Sequence, residues 1–297
     1  MLTLAIAERS YSSWSLRGWL LCSLTGAPLT VRHAPLRTPE FAALMEAFAP
    51  ARTVPALEIA DPAGPVRLWD TMAIAETLAE RFPEAGLWPG DPAARAAARS
   101  VAAEMHGGFA ALRRACPMAL ERAYAGFEAP EEALADAARV EELWAWARGR
   151  WGRGGPWLFG ARYGAADAFY APVAARFATY GLARSDVARD YVAAHDADPA
   201  FRRWRAMGVA EGARVARYEF DLPEAPRAGP APRPARAVAE AEGRTAVNAA
   251  CPYSGRPVRA DSLAEIDGRV IGFCNPFCRD KSVADAEAWP ALSPLLP

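Results

Sequence analysis

Over its first 83 positions the chain switches repeatedly between short apolar runs and stretches with an apolar residue every three or four positions. Residues 2–7 (LTLAIA) predict a strand; after a Ser/Tyr turn, SLRGWLLCSLTG has helical spacing and ends at Gly26. A second strand, LTVRHAPL at 29–36, leads to a helix from Pro39 to Phe48, strands at 56–59 and 66–69, and a helix from Thr71 to Arg81 stopped by Pro83. The predicted order is β-α-β-α-β-β-α, with short connections. From Asp91 to about Leu222 the pattern turns almost wholly helical, and its aromatic residues, Trp144, Trp146, Phe169, Phe177 and Trp204 among them, are expected to face a core.

Residues 222–247 change character: proline at high density, mixed with alanine, glycine and both charge signs, reads as an extended linker. The stretch 248–297 is too short to hold a self-sufficient core without a staple, and it carries three of the five cysteines. The expected organisation is an α/β segment at 1–83, an all-helical segment at 91–221, the linker, and a small cysteine module at 248–297.

Composition narrows the function. With 297 residues, 52% of them hydrophobic and 23% charged, the chain is neither disordered nor fibrous and has length for two ordinary domains. Its 34 basic residues against 35 acidic ones leave no electrostatic footprint for nucleic acid or an anionic membrane, so neither is an expected partner. The opening apolar run is followed at once by Glu8 and Arg9, too soon for a signal peptide or a membrane span, and a cytoplasmic location is expected. An odd number of cysteines, three of them crowded near the end, points to metal or thiol chemistry rather than to disulfides.

Three features of the first segment converge on anion chemistry. The turn Ser10, Tyr11, Ser12, Ser13 places hydroxyls beside a helix N-terminus, with its unpaired amides and partial positive charge. Thr53-Val54-Pro55-Ala56 puts a Val-Pro just before a strand, where a cis bond exposes the Val54 backbone to an extended ligand. Asp70-Thr71 opens an apolar helix with Thr71 as its expected N-cap, and the first amides of that helix can take a carboxylate.

SYSSWSLR, PARTVPAL, WDTMAIAETLAERFP and FGARYGAADAFYAPV, in that order, resemble the cytosolic glutathione transferases over roughly residues 1–220. The resemblance implies a thioredoxin-like N-terminal domain that binds glutathione as co-substrate, an all-helical domain that receives a small electrophile, and a homodimer. SYSSWSLR is most similar to the serine-type, zeta-like active site, which implies that Ser12, with Ser13 as second choice, donates a hydrogen bond to the glutathione sulfur. By the same resemblance Val54 pairs through its backbone with the cysteinyl unit, Pro55 is cis, and Asp70 and Thr71 hold the γ-glutamyl end. Two positions depart from the family pattern: Asp70 stands where Glu or Gln is usual, and Gly164 where Ser or Thr caps a buried helix. For the electrophile pocket the candidates are Tyr11 and Trp14 near the turn, with His106 and Arg113, seven apart in MHGGFAALRRA and so on one helix face. The implied activity is a glutathione-dependent transfer or isomerisation; the alternative is a non-catalytic scaffold or sensor of the same fold carrying a metal-binding tail.

In the tail, Cys251, Cys274 and Cys278 have the spacing C-x22-C-x3-C, with RVIGFC a strand candidate and Asn275-Pro276 a helix start. Both later sulfurs then lie near a helix N-terminus, which favours thiolate. The stretch resembles the small treble-clef-like metal modules of the YHS and TRASH type, which implies bound zinc or another soft divalent metal. Ser254 stands where relatives often have a further cysteine, leaving a fourth ligand to water, Asn248 or a carboxylate.

Overall fold

A computed structural model describes residues 1–227 and 229–296; residues 228 and 297, in the expected linker and at the end of the expected module, lie outside the described residues. Two compact units result: Met1–Asp196 with Val215–Ala228, and Ala197–Arg214 with Gly229–Pro297. Elements are numbered below in chain order.

The first unit opens with β1 (Leu2–Ile6), α1 (Ser13–Leu24), β2 (Leu29–His33), α2 (Pro39–Ala47), β3 (Ala56–Ile59), β4 (Val66–Trp69) and α3 (Thr71–Arg81). The strands form one mixed sheet in the order β2-β1-β3-β4, β1 pairing parallel with β2 (Leu4↔Val31) and antiparallel with β3 (Leu4↔Leu57). As an inner strand covered on both faces, β1 is apolar almost throughout rather than alternating. Local chemistry starts the helices: Ser12, Thr38 and Asp70 each accept a backbone N–H of the following first turn, and Pro39 occupies the first turn of α2, where its missing N–H costs nothing. The cap of α3 falls on Asp70 rather than on the expected Thr71, because the carboxylate one position earlier takes the Met72 amide. The element order is the one the pattern predicts, and the arrangement is the thioredoxin-like one that the resemblance implies.

The helical part of the unit comprises α4 (Pro92–Gly107), α5 (Ala110–Ala115), α6 (Glu131–Trp151), α7 (Ala165–Tyr180) and α8 (Asp186–Ala197), with the short pair β5 (Ala123–Tyr124) and β6 (Glu224–Ala225). Helix α7 is buried on nearly every side, and Trp144, Phe169 and Phe177 are core residues as expected. Trp146 is not: it lies two positions from Trp144, on the other side of α6, and is exposed, its ring edge-on to Trp151. At the start of α7, Gly164 lacks a capping side chain, but the Asp167 carboxylate accepts from the Gly164 and Leu158 amides (2.9 and 3.1 Å) and from the Tyr191 hydroxyl (2.8 Å).

Burial pushes the Asp167 carboxyl up to about 6, against the opposing pull of those donors. A carboxyl raised in the folded state contributes stability that is complete below its unfolded pKa and lost as pH rises through the folded one. Unfolding free energy is therefore expected to fall by about 3 kcal/mol between roughly pH 4 and pH 6, and Asp167→Asn should flatten this slope in denaturant titrations across that range.

The second unit gathers α9 (Pro199–Glu211), β7 (Ala235–Val238), β8 (Leu263–Ile266), β9 (Arg269–Gly272) and α10 (Pro276–Ala284). An antiparallel sheet in the order β7-β8-β9 packs with α9 and α10 around Ala206, Ile266, Ile271, Phe273, Trp289 and Leu292. Two sequence expectations shift here. Helix α9, which the pattern runs on with the helical segment, groups with the tail, held by an Arg202–Asp285 ion pair at 2.7 Å. Part of the expected linker is strand: beyond Pro234, Ala-Arg-Ala-Val alternates small apolar and charged residues, so it can pair with β8 (Ala237↔Ala264) while the arginine stays in solvent.

Candidate functional site

The turn between β1 and α1 carries the chemistry of the first unit. Ser12 is the N-cap of α1: its Oγ accepts from the Ser15 amide at 3.3 Å and lies 2.7 Å from the Ser15 hydroxyl. It faces a cleft of about 480 Å³, lined also by Trp14, Arg52, Val54, Pro55, Trp69 and Asp70. The Val54–Pro55 peptide is cis. Five of the candidates, Ser12, Trp14, Val54, Pro55 and Asp70, thus meet in one space although 58 positions separate the first from the last.

Asp70 holds φ 71°, ψ 130°, a backbone region that costs a non-glycine residue about 1–3 kcal/mol and that concentrates at ligand clamps. Its Oδ1 caps α3 through the Met72 amide (2.8 Å), and its Oδ2 lies 3.2 Å from His106 Nε2. Thr71 is fully buried, its hydroxyl 3.4 Å from His106 Nδ1. His106, on α4, therefore bridges both residues expected to hold one end of the ligand.

Around Trp14 a second group forms. His106 stands edge-on to its ring at 5.1 Å, and the guanidiniums of Arg113 and Arg17 lie 5.1 and 4.5 Å from its centre. Two candidates lie elsewhere. Ser13 is buried and does not line the cleft. Tyr11 is turned away: its hydroxyl donates to Glu219 (3.2 Å), its ring stacks on Tyr218, and burial together with Glu121 and Glu219 pushes its phenol up to about 12. The reason is the turn itself, in which Tyr11 and Ser12 point to opposite sides.

Arg17, packed behind Trp14, is the charged neighbour of the cleft that sequence reasoning missed. It is fully buried, none of its guanidinium nitrogens has a hydrogen-bond partner among the described residues, and burial pulls it down to about 9, still charged at neutral pH. The signal was present: it is the one charged residue of α1, in an otherwise apolar helix.

In the second unit, Cys251, Cys274 and Cys278 have their sulfurs within 4.8 Å of one another. Two thiolates on one ion at about 2.3 Å are at most about 4.6 Å apart, so the three are close enough to share a metal after small adjustments. Asn275 caps α10 through the Cys278 amide (2.8 Å), and the Ser254 hydroxyl donates to Cys274 Sγ at 3.2 Å. Burial raises the Cys251 thiol, but the amides of Tyr253, Cys274 and Ser254 and the Ser254 hydroxyl outweigh it and bring the thiol to about 7. Asn248 is not a free ligand: its amide accepts from Gly272 N and donates to the Ala250 and Gly272 carbonyls.

Comparison with known proteins sets these geometries in context. Residues 11–81 match the family described as glutathione S-transferase, N-terminal domain. No curated protein matches the sequence. Among solved structures, glutathione transferase Omega 2S from Trametes versicolor is similar with a TM-score of 0.53 and 20% identity, over 74% of this chain and 99% of that one. A glutathione transferase homolog from Burkholderia, with bound glutathione, gives 0.51 and 22% over 70% and 97%. Maleylacetoacetate isomerase from Anaeromyxobacter dehalogenans, with dicarboxyethyl glutathione and citrate in its active site, gives 0.50 and 24% over 75% and 94%. No helix among the described residues is long and apolar enough to cross a membrane. Residues 11–81 match the glutathione S-transferase N-terminal domain family, in a chain whose fold is that of the glutathione transferases over about three-quarters of its length.

Proposed function

We propose that the chain is a glutathione-dependent transferase or isomerase in which Ser12 stabilises the glutathione thiolate for attack on a small electrophile. The observation that carries this is the cleft: a helix-capping hydroxyl facing Val54, Pro55 and Asp70 across one space of about 480 Å³. A thiol with a pKa of about 8.5 needs about 2.7 kcal/mol of preferential thiolate stabilisation to ionise two units lower. One charge-assisted hydrogen bond of about 1.5–3 kcal/mol, aided by the N-terminus of α1, is of that size. The Val54 backbone pairs with the cysteinyl unit, and the Asp70 carboxylate takes the glutathione amino group. Trp14, His106 and Arg113 then face the electrophile, and the buried charge of Arg17 behind Trp14 favours one that carries an anionic group.

In the tail, Cys251, Cys274 and Cys278 hold zinc or another soft divalent ion in a treble-clef-like module, with water or the Ser254 hydroxyl as the remaining ligand. Such an ion ties α10 to the β8–β9 hairpin, a structural role.

Calorimetric titration of reduced glutathione into the full chain tests the first reading. Saturable binding is expected, at least tenfold weaker in Asp70→Ala, as about 1.5 kcal/mol of a charge-assisted contact is lost. Absence of binding at millimolar ligand would leave the scaffold alternative in its place.

A further inference from the structure

The Ser12 hydroxyl has one proton and must aim it at the ligand sulfur, which requires that nothing in the protein takes it first. Its neighbour decides this. Ser15 is fully buried in the first turn of α1, and its Oγ accepts the Ala7 amide at 3.0 Å, at the end of β1. Its other contact is Ser12 Oγ at 2.7 Å, a distance that leaves open which hydroxyl donates.

The direction follows from counting donors and acceptors. Were Ser12 to donate, the Ser15 proton would be left buried with no acceptor among its hydrogen bonds, at about 1–3 kcal/mol. With Ser15 donating, every group is satisfied: the Ala7 N–H goes to Ser15 Oγ, and the Ser15 O–H and Ser15 N–H go to Ser12 Oγ. The Ser12 oxygen then accepts two hydrogen bonds, and its own proton is released toward the cleft. Two donors on that oxygen also polarise its O–H and strengthen what it donates.

Resting on the proposed function above, we infer that Ser15 is a positioning residue: it anchors to the end of β1 and, by donating to Ser12, commits the Ser12 proton to the glutathione sulfur. Ser15 touches no ligand and acts only through Ser12. Of the two other serines in SYSSWS, Ser10 donates to Glu121 (3.0 Å) and Ser13 is buried away from the cleft, so neither can replace it.

The test compares Ser15→Ala, Ser15→Thr, Ser12→Ala and the double variant Ser12→Ala/Ser15→Ala. Two quantities are read on the full chain: the pKa of bound glutathione, from thiolate ultraviolet absorbance against pH, and its dissociation constant by calorimetry. Ser15→Ala should raise the bound-thiol pKa by about one unit, a tenfold loss of thiolate near neutral pH, with the dissociation constant of the protonated ligand within about twofold of wild type. Ser15→Thr, which keeps the hydroxyl, should restore the pKa, and the double variant should match Ser12→Ala. A structural role alone would not move the pKa independently of binding. If Ser15→Ala fails to fold, Ser15→Cys, a much weaker donor, carries the same expectation. A shift in Ser12→Ala with none in Ser15→Ala, or additive shifts in the double variant, overturns the role of Ser15 and leaves that of Ser12 standing. No shift in either overturns both.

Discussion

Ser12→Ala should lower kcat/KM for a glutathione-consuming reaction by about 10- to 100-fold near neutral pH while leaving the affinity for protonated glutathione nearly unchanged. The magnitude follows from the role: the hydroxyl bonds the thiolate more strongly than the thiol, so about 1.5–3 kcal/mol is lost from the reactive thiolate and little from the bound protonated ligand. Some activity should persist, because the N-terminus of α1 still favours an anion. Part of the loss should return at high pH, where the thiol ionises without help. Ser13→Ala is the matched control: Ser13 is buried and lies outside the cleft, so its effect on kcat/KM should stay within about twofold. A Ser13 effect as large as that of Ser12 would reverse the assignment within the SYSSWS turn. Turnover is measured under single-electrophile conditions across pH, so that thiolate formation and electrophile binding separate.

The second large effect is expected in the tail. Cobalt(II) added to the reduced full chain should bind one equivalent with a thiolate-to-metal charge-transfer absorption, and Cys251→Ser, Cys274→Ser or Cys278→Ser should each reduce that absorption or abolish it. Zinc at a thousandfold excess over its dissociation constant should stabilise the second unit by about 4 kcal/mol. For a unit of this size that raises its thermal midpoint by at least about 15 °C, and a chelator should reverse the gain. A tail whose stability is indifferent to zinc and chelator, with no cobalt absorption, would make Cys251, Cys274 and Cys278 ordinary packing residues of a small core. Breadth of metal preference separates further roles: tight, inert zinc marks a structural ion, and ready exchange marks a trafficking one.

Much of the first unit was legible in the sequence because its signals are local. A buried inner strand reads as LTLAI, and the hydroxyl turn before α1 and the Asp70-Thr71 pair before α3 read as helix starts, with Ser12 and Asp70 the caps that line the cleft. The resemblance carried by these local motifs named Ser12, Ser13, Val54, Pro55, Asp70 and Thr71 together before any geometry. What stayed hidden depends on pairing over distance. Nothing near Arg202 in the chain tells that it meets Asp285, so α9 read as one more helix of the middle segment. The Pro-rich composition of 222–234 masked the four residues after it, whose alternation is too short to stand out, yet they complete a sheet. Tyr11 looked as well placed as Ser12, because spacing cannot reveal which side of a turn a residue takes; its contacts with Tyr218 and Glu219 come from more than two hundred positions away. Arg17 was passed over because a lone arginine in a helix usually reaches solvent, whereas here the rings of Trp14 and Phe169 enclose it.

The Thr71 hydroxyl marks a remaining difference between expectation and structure. Expected to hold the γ-glutamyl end, it is buried against His106, so any role it has toward the ligand falls to its backbone amide at the start of α3. Asp70, strained and half exposed on the cleft, is the stronger anchor.

The most direct test of the account is the ionisation of glutathione bound to the full chain, followed by thiolate absorbance against pH. The account predicts an apparent thiol pKa of about 6.5, roughly two units below that of the free thiol, returning most of the way toward 8.5 in Ser12→Ala. A bound thiol that ionises at its free value in the wild-type protein, or one that Ser12→Ala leaves unchanged, would contradict it.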